Sequence, residues 1–167
     1  GVDVLVDESP GYIVLSSFDP VRREIARVAL EELLKDGRIQ PAKIEEVVAE
    51  ARAEVAKTVK KMGEKAAYDA NVPNLHPELI TILGRLHFRT SYGQNVLYHS
   101  VEMANIAGII AVEIGANEAT ARAGALLHDI GKCVSQEVSG THVDIGIRIL
   151  EKYNVDQQVI LAMRAHH

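Results

Sequence analysis

A single cysteine, Cys133, stands among the 167 residues. An internal disulfide is therefore excluded, and a reducing compartment fits. No run of about 18 apolar residues occurs, so no segment reads as a membrane-spanning helix. Basic charge is not in excess: 18 lysines and arginines against 23 aspartates and glutamates leave a formal net charge of -5. That argues against a protein that coats nucleic acid with a basic surface, while local basic patches stay open. Internal repeats and low-complexity segments are lacking, and so is an initiator methionine. Gly1 opens inside what reads as a strand, and His166 and His167 close inside an apolar helical pattern. A fragment of a longer chain is the expectation. What is present is ordinary for a soluble globular protein, 47% hydrophobic and 25% charged, and long enough to bury one core or two small ones.

Residues 2–7 and 12–17 are β-branched and apolar runs around a Pro-Gly pair, Pro10 and Gly11, which is a hairpin signal. Asp19 before Pro20 sets a helix cap ahead of a proline at the first helical position. Ile25, Val28, Ala29 and Leu33 share one face, and Gly37 closes that helix. Pro41 starts a second helix reaching about Ala70. Its apolar residues Ile44, Val48, Ala51, Val55, Val59, Met62 and Ala66 alternate in steps of three and four. This narrow seam suits a connector lying on its neighbours or a dimer seam. From residue 72 onward the pattern is helical: 77–86, 94–114, 117–129, 142–153 and 155 to the end, with Asp156 capping the last. A domain boundary is expected near residues 71–74.

The most informative stretch is residues 124–132, GALLHDIGK. His128 and Asp129 are adjacent metal-competent side chains at a helix end, and Gly131 is placed to let the helix break so that both face inward. His99 lies one helix, a turn and a second helix upstream, so the two rings can meet if the helices run antiparallel. His142, His166 and His167 follow downstream. Each has a plainer reading: His99 as a half-buried hydrogen-bonding residue, His142 as a helix cap, His166 and His167 as an exposed end. Jointly they form an imidazole-carboxylate set of the kind that holds a divalent transition metal. Lys132 is either a phosphate contact or a solvated lysine. His76 and His87 fit no ligand pattern and read as structural, and Cys133 reads as a small buried residue.

This order of histidine, His-Asp and further histidines resembles the HD superfamily of metal-dependent phosphohydrolases. The stretches 17–26 (SFDPVRREIA), 35–46 (KDGRIQPAKIEE) and 84–97 (GRLHFRTSYGQNVL) sharpen it. With the His-Asp segment they resemble the ribonuclease Y family of bacterial endoribonucleases, along essentially the whole chain. The resemblance implies a mainly α fold with a small α+β part at the N-terminus. Residues 1–40 would be the last strand, strand and helix of a KH domain, 41–72 a linking helix, and 73–167 an all-helical HD domain cut short at its C-terminus.

It also implies an enzyme that hydrolyses RNA phosphodiesters at the start of mRNA decay, leaving a 5′-phosphate and a 3′-hydroxyl. His99, His128 and Asp129 match metal ligands of the family. His142 and one or both of His166 and His167 match positions for a second metal or phosphate. His128, Asp129 and Lys132 would be the catalytic residues. The metal would be manganese or magnesium foremost, with iron or zinc as alternatives. RNA, a second copy of the chain and an RNA-degradation complex would be partners. This chain would be cytoplasmic, its parent anchored to the inner face of the membrane by a preceding helix.

Three family features are lacking: the Gly-x-x-Gly loop that grips nucleic-acid backbone in KH domains, a final aspartate ligand, and a glutamate ahead of the first histidine, where Asn95 stands. The chain alone is therefore expected to be weakly active or inactive. Two other readings stay open: an HD phosphodiesterase acting on small nucleotides or cyclic dinucleotides, and a non-catalytic dimerisation or binding module. RNA-contacting residues are not assigned.

Overall fold

The computed structural model describes residues 1–6, 11–134 and 138–166. The turn expected at Pro10 lies outside them, as does His167. By the density of its contacts the chain divides into two compact units, Gly1–Thr58 and Val59–His167. The division falls inside the second helix.

In the first unit β1 (Asp3–Val6) pairs antiparallel with β2 (Ile13–Ser16), Asp3 opposite Ser16 and Val6 opposite Ile13. Helix α1 (Pro20–Asp36) starts where the Asp19 carboxylate accepts from the backbone amides of Val21 and Arg22. It ends where Gly37 turns left-handed at φ 75° and donates to the Leu33 carbonyl, a stop that a Cβ would oppose. Helix α2 (Pro41–Asp69) lays Val47 and Ala51 against Ala29 and Leu33 of α1. The apolar stripe is thus shifted at its start from the one the sequence suggested. Ile44 is 37% exposed and Val47 only 1%, because Ala29 and Leu33 take Val47 as their partner. Ala51, Val55 and Val59 follow as expected and are buried within the single chain.

In the second unit α3 (Pro77–Arg85) is capped by His76, whose Nδ1 accepts from the Glu78 amide. A 3-10 turn, Leu86–Phe88, leads into a two-residue hairpin of β3 (Thr90–Ser91) and β4 (Gln94–Asn95). This hairpin occupies what the sequence pattern assigned in part to the following helix, so residues 73–167 are not wholly helical. Helix α4 (Val96–Glu113) begins only after Asn95, whose side chain accepts from the amides of Leu97 and Tyr98. Helix α5 (Glu118–Leu127) is capped by Asn117, α6 (His142–Lys152) by Thr141 in a reciprocal pair with Asp144, and α7 (Gln157–Arg164) by Asp156.

Leu79 and Leu83 of α3, Leu97 of α4, Leu126 and Leu127 of α5, Leu150 of α6 and Met163 of α7 meet in one buried cluster. Each of these large side chains removes roughly 2 kcal/mol worth of apolar surface from water, which fixes where the helix ends fall. The mainly helical fold with a small β part at the N-terminus agrees with the sequence reading. Among the described residues no helix is long and apolar enough to cross a membrane.

Candidate metal centre

Five helix ends or turns deliver the polar side chains to one place. His99 lies in the first turn of α4, and His128 and Asp129 directly follow α5. Lys132 sits in the 3-10 turn Ile130–Cys133, His142 opens α6, and His166 follows α7. The rings of His99 and His128 have centroids 5.4 Å apart, those of His128 and His166 5.1 Å, and those of His142 and His166 5.9 Å.

Asp129 is the hub. It is 4% exposed, with Oδ2 at 3.3 Å from His128 Nε2 and 2.8 Å from Lys132 Nζ, and Oδ1 at 3.8 Å from His142 Nε2. Two triads share it, His99-His128-Asp129 and Asp129-His142-His166, and within each the candidate ligand atoms lie within 4.8 Å of one another.

Adjacent residues both reach the centre because α5 stops at Leu127. His128 keeps helical angles at φ -57° and ψ -36°, and Asp129 swings to φ -101° and ψ 10°. The break needs no left-handed residue. Gly131 serves differently from the expectation: a Cβ there would stand 1.8 Å from the carbonyl oxygen of His142. Its missing side chain lets α6 come close enough to bring His142 to Asp129.

His128 Nδ1 faces the Ala125 carbonyl at 2.7 Å, so that nitrogen is the donor and Nε2 is turned to the centre. The same arrangement ties His166 Nδ1 to the Met163 carbonyl. Burial works against a charged His128 ring, but the Asp129 carboxylate and the Ala125 carbonyl prevail and raise its pKa above the ordinary imidazole value. Burial likewise opposes the Asp129 carboxylate, and His128 and Lys132 outweigh it, holding its pKa well below the usual range. A set of imidazoles around one buried carboxylate fits a divalent transition-metal ion.

The structure thus brings together His99, His128, Asp129, Lys132, His142 and His166. His167 lies outside the described residues. His76 and His87 stand elsewhere: His76 caps α3 and packs against Tyr153 with tilted rings 4.9 Å apart, and His87 packs edge-on against Phe88 and Tyr98. Cys133 is half-buried against the main core. Asn95 is occupied in capping α4 and in donating to the His87 carbonyl at 2.6 Å.

The sequence reading missed the hairpin. Ser91, Tyr92 and Gln94 line a cavity of about 150 Å³ together with His99, Asp129 and Lys132. The Arg89 guanidinium, just before β3, donates to the Lys132 carbonyl. The Tyr92-Gly93 pair was the available signal, as a two-residue turn between short polar runs.

The family model described as the HD domain matches residues 96–167. Ribonuclease Y of Alkaliphilus metalliredigens is 53% identical over 167 residues, covering 100% of this chain and 35% of the relative. The proteins of that name from Finegoldia magna and Syntrophomonas wolfei are 53% and 54% identical over the same 167 residues, with 33% and 32% of their lengths covered. The chain therefore spans about a third of the length of the curated relatives it matches. No solved structure matches it. Residues 96–167 thus match the HD domain, and the whole chain is similar to a stretch making up about a third of the ribonuclease Y proteins.

Proposed function

We propose that this chain carries the metal site of an HD-type endoribonuclease that hydrolyses RNA phosphodiester bonds. The observation that carries the reading is the pair of triads sharing the buried Asp129. His99, His128, Asp129, His142 and His166 would hold the ion. Bound there, a divalent cation of the manganese or magnesium type would polarise a phosphoryl oxygen and acidify a coordinated water.

The chain's own residues do the rest. The Ala125 and Met163 carbonyls orient the imidazoles of His128 and His166. Lys132, on the cavity wall beside Asp129, is placed to donate to a phosphate oxygen. The low pKa of Asp129 keeps it ionised at any physiological pH.

The cavity favours a polymer over an enclosed nucleotide. At about 150 Å³ it falls short of the roughly 300 Å³ at which pockets begin to enclose a small molecule. With a phosphodiester held there, a whole nucleotide is not enclosed. By the same reading His128, Asp129 and Lys132 are the catalytic residues and mRNA decay is the process served. Residues 1–40, with their strand, strand and helix, are the closing part of a KH domain, 41–72 the linking helix and 73–167 the HD domain. A second copy of the chain and other RNA-degrading proteins are the partners beside RNA.

The test is incubation of the chain with manganese and either a 5′-monophosphorylated RNA or a cyclic dinucleotide. Slow RNA cleavage that leaves 5′-phosphate ends and disappears in Asp129→Ala is the expected result. Turnover of the cyclic dinucleotide without RNA cleavage would establish the small-nucleotide reading instead. Failure to bind any divalent ion would leave a non-catalytic module.

A further inference from the structure

The hairpin of β3 and β4 turns on Tyr92 and Gly93, whose φ angles of 50° and 77° are both positive, and Ser91 pairs with Gln94 across them. A two-residue loop with both central residues left-handed is a type I′ turn. Its first position favours Asn, Asp or Gly, because a larger L-side chain is crowded there by its own backbone. Tyr92 is thus a poor choice for the turn. Nor does it serve the core, since the residue is 104% exposed. Yet Tyr92 lines the same cavity as His99, Asp129 and Lys132.

The hairpin backbone that carries Tyr92 is tied down on both strands. Asn95 anchors one strand to the His87 carbonyl at 2.6 Å, and Arg89 ties the foot of the other to the Lys132 carbonyl. An aromatic residue therefore stands beside a cavity of about 150 Å³, too small to enclose a whole nucleotide. With a phosphate held beside Asp129 and Lys132, the rest of the nucleotide extends beyond the cavity, on whose lining Tyr92 stands exposed. Base-on-aromatic stacking is tolerant of sequence, because every base offers a π-face.

We infer that Tyr92 is a stacking platform for a nucleobase of single-stranded RNA, that of a nucleotide beside the phosphodiester in the cavity. This rests on the reading of the site as one that takes RNA. Tyr92 is a positioning residue, and its hydroxyl is not needed.

Two variants, Tyr92→Asn and Tyr92→Phe, test it in the whole chain. Binding is read by anisotropy of a labelled single-stranded RNA of about six nucleotides with cleavage-resistant phosphorothioate linkages, and of the same backbone without bases. Tyr92→Asn is expected to weaken binding of the intact RNA roughly tenfold, while Tyr92→Phe stays close to the parent chain. The Tm of Tyr92→Asn should be unchanged or higher, since Asn accepts the left-handed conformation more readily. A structural role would lower it. The baseless backbone should bind the parent chain and Tyr92→Asn equally. If Tyr92→Asn binds intact RNA as the parent does, or loses intact and baseless RNA alike, the stacking role is overturned and the RNA reading stands. If the parent chain binds neither, the RNA reading falls and this inference with it.

Discussion

Gly131 faces the backbone of His142 so closely that a Cβ on it would stand 1.8 Å from the His142 carbonyl oxygen. That approach sets the distance between α6 and the turn carrying Asp129 and Lys132. Backbone cannot rotate away as a side chain tip can, so Gly131→Ala must push the helix outward. The expected cost is about 3 kcal/mol of stability, read as a lower midpoint in urea denaturation. Metal affinity should fall as well, because His142 is withdrawn from Asp129.

Asp129 belongs to both triads and is 4% exposed. Asp129→Asn keeps the shape and one acceptor oxygen while removing the charge. Metal affinity is expected to fall by more than about 100-fold, beyond what loss of an outer hydrogen bond costs, with the helical circular-dichroism signal preserved. Calorimetric titration with manganese checks this. Affinity within a few-fold of the parent would mean that the carboxylate is not a ligand.

Lys132 should behave in the opposite sense. Its ammonium lies 2.8 Å from Asp129 Oδ2, where it competes for the carboxylate. Lys132→Gln is expected to leave metal affinity equal or greater. RNA turnover should fall by about tenfold or more, the scale of a lost hydrogen bond to a charged group. Weaker metal binding in Lys132→Gln would show that the lysine supports the site rather than the substrate.

Much of the fold was legible because local chemistry and tertiary packing agree at its helix ends. Asp19 with Pro20, Gly37 and Asp156 each act where the sequence places them. The ligand-like residues could also be named, since His-Asp before Gly is rare in a purely structural helix end. The meeting of His99 with His128 could be read as well, but the place of His142 could not, because it depends on how close α6 comes to the turn after α5, a distance set by the packing of Gly131 against the His142 backbone. The cavity wall was hidden for a related reason. Thr90, Ser91, Gln94 and Asn95 form strands too short to show an alternating pattern, and Asn95 looks helical until its side chain is seen capping α4. The seam of α2 was displaced at its start because Ala29 and Leu33 select Val47 over Ile44.

The last expectation concerns pH in the metal-free chain. His128 is faced by His99 from α4, by Asp129 and Lys132 beside it, and by His166 after α7. Although burial and Lys132 oppose a charged ring, Asp129 and the Ala125 carbonyl raise its pKa above the ordinary 6.5. A raised value means that this stabilisation is complete below pH 6.5 and is lost as pH rises through the folded-state value. Asp129 has the reverse sign: its pKa is depressed from 3.8, so its share is complete above that pH and is lost on acidification. Together the two groups stabilise the metal-free chain most between pH 3.8 and 6.5. Metal binding needs neutral imidazoles and therefore expels the His128 proton, so affinity should climb as pH rises through the interval where metal-free stability declines. Urea denaturation with a chelator present, beside manganese titrations over the same pH series, should give opposite slopes. Affinity should rise up to about tenfold per pH unit for each proton displaced. His128→Gln should flatten the stability slope. A metal-free chain that grew more stable above pH 6.5 would show that His128 does not hold its proton against Asp129.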